Sequence, residues 1–354
     1  MDVRVEIPSY VSSDFSQSSF GPDELNPSSV VIEDEGVSFL IGHDARKHSW
    51  DSTRVFGGHL KVPQYRNLLR ALVAKTLGEG EHHIDIALSA SHLWIDEFRE
   101  NRKSIYLNSD HDAILRETLK LIRFKTSVNS RAWKECRVEI LGRPFAFHEL
   151  AAVSAVIPKT KYRNYVLWQL GHGDLQQVVF VDGTPMPETL QRTEGVSFAV
   201  KKLGELLNLP NQALADIAWR NENFSAFGEI NGKTNECLTE KKKAIRSYFS
   251  QQVIGKFINV IQPYKQKSPN VILSGGGAKD KVLVDVLREE VENLGYKFWP
   301  IDKIPSIETL GKSQQDLLSD PLYTCVEGLC TKASLGIDVG NSTLKSKWGN
   351  KNDE

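Results

Sequence analysis

Polar and apolar residues alternate over residues 2–9 (DVRVEIPS), the period-two signature of a strand, and Pro8 marks its end or an edge position. A loop rich in Ser, Pro and Gly follows over 11–28. The segment SVVIEDEGVSFLIGHDA (29–45) then reads as a hairpin with Glu33 to Gly36 as its turn. In QYRNLLRALVAKTLG (64–78) the apolar positions shift to helical spacing, with Gly78 as the stop. Next come a strand at HIDIALSA (83–90), mixed material to about residue 130, and a strand at KECRVEIL (134–141). FHELAAVSAVIP (147–158) reads as a short buried helix closed by Pro158.

The second half repeats the theme. NYVLWQLG (164–171) is a buried strand, and DLQQVVFVDG (174–183) pairs with it as a hairpin. TEGVSFAVKKLGELLNL (193–209) is a helix with Thr193 as its N-cap. The segment 235–261 is one long amphipathic helix. Residues 268–295 run strand, glycine turn, helix, and 313–333 form a final helix. Last comes SLGIDVGNSTLKSKW (334–348): a buried strand from Leu335 to Val339, a Gly-Asn-Ser turn, and a second strand ending on Trp348. Each half thus holds a strand–glycine turn–strand hairpin with further α/β material, a duplicated α/β architecture around a cleft.

Composition narrows the partners. With 354 residues, 40% hydrophobic and 25% charged, the chain has the make-up of a soluble globular protein with a substantial core. A net charge of −1 gives no global basic field for nucleic acid. No apolar run approaches the ~20 residues needed to span a bilayer, and the first residues lack the basic and apolar regions of a signal peptide. Cys325 and Cys330 have no zinc-type partner pair, so Cys136, Cys237, Cys325 and Cys330 are expected to be reduced thiols in the cytoplasm.

Three glycine turns carry candidate chemistry. In Asp338-Val339-Gly340-Asn341-Ser342-Thr343, Gly340 lets the backbone approach an oxyanion, to which adjacent N–H groups and the Ser342 and Thr343 hydroxyls can donate. Asp338 could hold Mg²⁺ through water. A ligand-free hairpin turn has the same sequence signature. The turn Gly171-His172-Gly173-Asp174 reads either as a second phosphate loop or as a loose hairpin loop. Gly275-Gly276-Gly277-Ala278 ends a buried strand and opens a helix, whose N-terminus favours anions, and a plain turn needs one glycine rather than three.

Together these turns make the chain resemble the actin-like ATPases, most closely the bacterial plasmid-segregation actins of the ParM/StbA type. The family's first phosphate loop, Asp-x-Gly-(Asn/Ser)-(Ser/Thr)-x-x-Lys, is matched by Asp338, Gly340, Asn341, Ser342 and Lys345, with Trp348 shortly after. GVSFAVKKLGELL resembles the helix after the second phosphate hairpin, VILSGGGA the adenosine motif, and SDPLYTCVEGL the last helix. The resemblance implies an actin-like fold with two α/β domains around a nucleotide cleft: residues 1–160 with 315–354, and 161–314. It implies ATP with Mg²⁺ near Asp338. The phosphates would lie against Gly340, Asn341, Ser342, Thr343, Lys345 and the turn Gly171, His172 and Gly173, with adenosine against Gly275, Gly276 and Gly277.

The order differs from the family's. There the first phosphate loop precedes a strand like VRVEIPSYV, whereas here it follows everything else, so the chain reads as a circular permutant. Gln169 stands where the family has an aspartate that organises metal and attacking water, and Gln176 and Gln177 stand near the place of the hairpin's later acid. Either hydrolysis is slow or another acid such as Asp174 compensates. The water-positioning acid corresponds to Glu149, with His148 as the alternative register and a solvated helix acid as the bland reading. The implied function is ATP-dependent filament formation by head-to-tail self-association in DNA segregation, with a DNA-bound adaptor protein and no direct nucleic-acid or membrane contact. Two rivals are a nucleotide-binding scaffold with little hydrolysis and a small-molecule kinase of the same superfold.

Overall fold

The computed structural model describes residues 3–13, 25–48, 53–55, 60–90, 95–101, 103–159, 162–220, 234–267, 269–304, 320–339 and 343–349. The first stretch of elements is β1 (Val3–Pro8), β2 (Tyr10–Ser12), β3 (Ser29–Asp34), β4 (Val37–Gly42), α1 (His43–His48), β5 (Thr53–Arg54) and α2 (Pro63–Leu77). Then follow β6 (Gly80–Ile84), β7 (Ile86–Ala90), α3 (Ile95–Phe98), α4 (Ser109–Leu119), β8 (Ile122–Lys125), β9 (Lys134–Ile140), β10 (Phe145–His148) and α5 (Glu149–Ser154). The next group is β11 (Tyr165–Leu170), β12 (Asp174–Val181), β13 (Thr184–Glu194), α6 (Val196–Leu206), α7 (Gln212–Arg220), α8 (Thr234–Tyr248) and α9 (Ile254–Ile261). The last is β14 (Asn270–Ser274), α10 (Lys281–Asn293), β15 (Phe298–Pro300), a short helix α11 (Thr324–Leu329), β16 (Leu335–Val339) and β17 (Thr343–Trp348). None of the described helices is long and apolar enough to cross a membrane.

The chain divides into two compact units, Met1–Val156 with Cys325–Glu354, and Ile157–Thr324. The first contains a five-stranded sheet, β1-β17-β16-β7-β10, and a seven-stranded sheet, β5-β2-β4-β3-β8-β9-β6. Helix α2 packs on β17 and β1 of one sheet and on β3 and β8 of the other. It is buried over most of its length, including the polar Asn67 and Thr76, with Arg66, Arg70 and Lys75 half-buried. Its Thr76 hydroxyl lies 2.5 Å from the Ser346 hydroxyl of β17. Strand β1 pairs antiparallel with β17, which pairs antiparallel with β16, and β16 pairs in parallel with β7. The strand read over 83–90 is therefore two strands in different sheets, divided at Asp85. Its carboxylate accepts from the Ser334 amide (2.9 Å) and hydroxyl (2.5 Å) just before β16.

The second unit is built on one sheet, β13-β12-β11-β14-β15, with β11 and β14 parallel. Trp168 is fully buried against Phe257 and Phe298, and its indole N–H donates to Gln177 at 3.0 Å. The acid expected near Gln177 would leave that buried donor facing a charge instead of a neutral carbonyl. The long helix read over 235–261 is α8 and α9 joined by a π-helical segment, Phe249–Val253. Thr193 is not an N-cap but part of β13, with its hydroxyl donating to the Gln252 carbonyl of that segment at 3.0 Å. Residue Gly195 takes the N-cap place of α6 without a side-chain bond. Of the helix read over 313–333, the described part is confined to Thr324–Leu329.

Candidate functional site

In the first unit the candidate chemistry gathers at the end of β16. Asp338 stands opposite Lys345 of β17 and Ser89 of β7 in the two ladders. The Ser89 hydroxyl donates to its Oδ1 at 2.5 Å and the Lys345 ammonium to its Oδ2 at 3.0 Å. The carboxylate is only 3% exposed and the lysine side chain 12%, so each is the other's main compensation for leaving water. Burial acts against the Lys345 charge, but Asp338 outweighs it by charge and hydrogen bond, and the lysine pKa lies above its usual value. Gly340, Asn341 and Ser342 lie outside the described residues. Thr343 opens β17 opposite Pro8.

Glu149 is the first residue of α5, whose N-terminal amide of Leu150 donates to His148 Nδ1 at 3.1 Å. Sequence reading missed two neighbours of this acid. Tyr65 of α2 and Cys325 of α11 are both buried, and both have raised pKa values through desolvation first and the Asp338 and Glu149 carboxylates second. Asp338 touches Ser89 and Lys345, the Cys325 thiol approaches the Glu149 carbonyl at 4.0 Å, and both carboxylates act on Tyr65 and Cys325. The helical tyrosine and the buried thiol carried no motif, so only their position reveals them. No cluster of three or more His, Cys, Asp or Glu able to hold a metal occurs among the described residues. A single engaged carboxylate fits Mg²⁺ held through water beside phosphate oxygens, not a protein cage.

In the second unit, the turn between β11 and β12 is bound to the start of α6. Gly171 N donates to the Asp174 carbonyl at 2.8 Å, while the carbonyls of Gly171, His172 and Gly173 accept from the amides of Val196, Ser197 and Gly195. A Cβ on Gly195 would lie 2.5 Å from the Gly171 carbonyl oxygen, so glycine is required there. Asp174 is held by Arg192 Nε at 2.9 Å, which neutralises the acid that could have replaced the family aspartate. Gln169 is the penultimate residue of β11, directly across from Gln176 of β12 and Ser274 of β14.

The three glycines after β14 have unequal reasons. Gly275 has φ +89°, and a Cβ there would lie 2.6 Å from the Leu170 carbonyl oxygen; one on Gly277 would lie 2.6 Å from Leu170 Cγ. At Gly276 it would meet only Leu322 Cδ1, at 3.4 Å. Close packing on β11 therefore explains two of the glycines without a ligand. The turn leads into a 3-10 turn, Gly276–Lys279, rather than straight into a helix. Asp280 then caps α10 through the Leu283 amide and pairs with Lys241 at 2.7 Å. The Asp-Pro segment closes on the same turn, the Gly275 amide donating to the Pro321 carbonyl at 3.2 Å.

The fold is actin-like. Among solved structures, the archaeal actin homologue Ta0583 superposes with a TM-score of 0.55 at 13% identity, over 91% of this chain and 90% of that one. The Alp12 filament structure matches with a TM-score of 0.54 at 16% identity, over 91% and 87%. Bacillus thuringiensis ParM with ATP matches with a TM-score of 0.53 at 11% identity, over 91% and 90%. No protein-family model matches the chain, and no curated protein does.

Proposed function

We propose that this chain is an ATP-binding actin-like protein that assembles head to tail into nucleotide-dependent filaments, in the cytoplasm, for the segregation of plasmid or other DNA. The observation that carries the reading is the buried Asp338–Lys345 pair on the hairpin with the phosphate-loop motif, in a chain of actin-like fold. Neighbours of that fold were solved as a filament and with ATP, which supports the same two properties here. Phosphates would be met by the 340–342 turn and the Gly171–Gly173 turn, and adenosine by Gly275–Gly277. Asp338 would hold Mg²⁺ through water, the ion neutralising phosphate charge. A DNA-bound adaptor protein would connect the filament to its cargo.

The order of elements supports circular permutation. The hairpin β16–β17 follows the other elements in sequence, yet β17 is the ladder neighbour of β1. In the family's order that hairpin would lead directly into β1.

A second reading, binding with little hydrolysis, is favoured by Gln169 and by the Asp174–Arg192 ion pair, which leave the second unit's turn without a free acid. The test is sedimentation and negative-stain microscopy with ATP, ADP or no nucleotide. Polymer with ATP and much less with ADP supports the proposal. Monodisperse protein that binds ATP transfers the case to the scaffold, and a substrate-dependent ADP burst transfers it to a kinase.

A further inference from the structure

The net charge of −1 conceals a local excess in the first unit. The stretch IRFKTSVNSRAWKECR (122–137), which forms β8, its loop and the start of β9, holds Arg123, Lys125, Arg131, Lys134 and Arg137 against one acid, Glu135. Ile122, Phe124, Cys136 and Val138 enter the apolar core. Arg123, Lys125, Glu135 and Arg137, at the alternate positions, therefore face the other side of the seven-stranded sheet. On that side Trp133 packs against Val31, Leu40, Ala45 and Val128, together with Tyr10. Lys125 Nζ lies 4.3 Å from the centre of the Trp133 ring and Arg123 Cζ 5.6 Å from it. Arg46 of α1 covers the Tyr10 ring at 5.6 Å.

Pairing sorts these cations into two groups. Arg123 is taken by Glu33 at 2.6 Å and Arg137 by Glu135 at 2.7 Å. Arg46, Lys125, Arg131 and Lys134 have no acid within ion-pair distance among the described residues, and all but Lys125 are exposed. Two further acids of this face, Glu81 and Glu139, stand towards the opposite end of β9, with Glu81 directly across from Arg137. Like charges gathered in one place repel, and a polyanion laid over them removes that repulsion while releasing its own counterions. The Trp133 ring lies under cations. It therefore offers neither a free face on which an unpaired base could stack nor a projecting apolar anchor for a bilayer. Phosphate charge is what remains to be recognised, in the dense array that a duplex presents.

We propose that this face, through Arg46, Lys125, Arg131 and Lys134, binds the phosphate backbone of duplex DNA directly. Phosphate contacts carry no sequence information, so the binding is independent of sequence. The inference rests on neither the nucleotide nor the filament reading given above.

The experiment is fluorescence anisotropy of a short labelled DNA duplex of mixed sequence, titrated with the full chain without nucleotide between about 50 and 200 mM KCl. Log affinity against log salt is expected to fall with a slope of about −3 to −4, the value for about four neutralised phosphates. Arg131→Gln/Lys134→Gln, which leaves the Lys125–Trp133 contact in place, should bring the slope nearer zero by about 2 and weaken binding about tenfold at the lowest salt. Adding Lys125→Gln should remove about 1 more from the slope. The control Lys201→Gln/Lys242→Gln/Lys265→Gln removes three exposed charges from the second unit and should change neither quantity. No binding at the lowest salt, a slope equal in the wild type and the patch variants, or an equal loss in the control overturns the proposal. So does tighter binding of a single strand than of the duplex, which would make Trp133 a stacking platform. Binding of phosphatidylcholine–phosphatidylserine vesicles at a salt where the duplex stays free would assign the face to a membrane and overturn it too.

Discussion

Asp338 divides its two oxygens between a hydroxyl and an ammonium, and almost none of it meets water. Removing it by Asp338→Ala leaves Lys345 charged and buried without its partner, at a cost of about 3 kcal/mol, visible as a lowered Tm. The double change Asp338→Leu/Lys345→Met should recover much of that stability, since well-packed apolar residues can replace a buried pair. It should not recover Mg²⁺-dependent ATP binding. Recovery of both would show that the pair is only structural. Thiols and phenols give a pH signature. Burial pushes the Cys136 thiol up from 9.0 to about 11, and raises Cys325, Tyr65, Tyr165 and Tyr248 as well. The folded chain therefore keeps these protons to higher pH than the unfolded chain, so stability is intact below about pH 9 and falls as pH rises through 11. Urea midpoints measured from pH 7 to 10.5 check this; a flat profile would contradict it. At pH 8 the buried thiols Cys136, Cys237 and Cys325 should resist disulfide reagents until the protein is denatured.

The glycine turn after β14 allows a sharp contrast between neighbouring positions. Gly275→Ala must adopt a left-handed backbone and meet the Leu170 carbonyl, a loss of about 1–3 kcal/mol in denaturant unfolding. Gly276→Ala meets only an ordinary contact and should leave stability nearly unchanged. If adenosine lies against this turn, Gly276→Ala should nonetheless lower ATP affinity in a binding titration. Much of the element pattern was legible because each feature had a local cause. The period-two run of β1, the helical spacing and Gly78 stop of α2, and the hairpins at 29–42 and 165–181 were all written in nearby residues. Others depended on distant partners. The break at Asp85 is accompanied by a Ser334 contact from 249 residues further along the chain. The π segment is accompanied by a bond from Thr193 to the Gln252 carbonyl that no helical periodicity records. For the site, Asp338 and Lys345 could be paired from the hairpin register, whereas Tyr65, Ser89 and Cys325 join them only through folding. The role of Arg192 was invisible because a strand arginine has no motif.

At the scale of the molecule, a head-to-tail contact between actin-like subunits would give an open polymer instead of a closed dimer. Assembly should appear above a critical concentration with ATP and persist, because a glutamine at 169 orients water without holding charge. Gln169→Asp should therefore raise ATP turnover, by on the order of tenfold or more, and shorten filament lifetime in a light-scattering decay. Unchanged turnover and lifetime would mean that another group controls hydrolysis. Truncation after Ala333 should abolish cooperative folding of the first unit, since β16 is central to its sheet and β17 is the ladder partner of β1.

That last arrangement has a consequence for the order in which the molecule is made. The partner that completes the ladder of β1 is translated about 345 residues after it, since Val3 pairs with Trp348. The second unit, by contrast, is one continuous span, Ile157–Thr324, and can close as soon as it emerges. Synthesis at about 5–20 residues per second keeps β1 and the apolar face of α2 waiting for tens of seconds. Edge strands left in that state are templates for pairing with other chains. Arrested nascent chains that end near residue 330 should thus show a protease-resistant second unit beside a digestible first one, and extension past β17 should protect both.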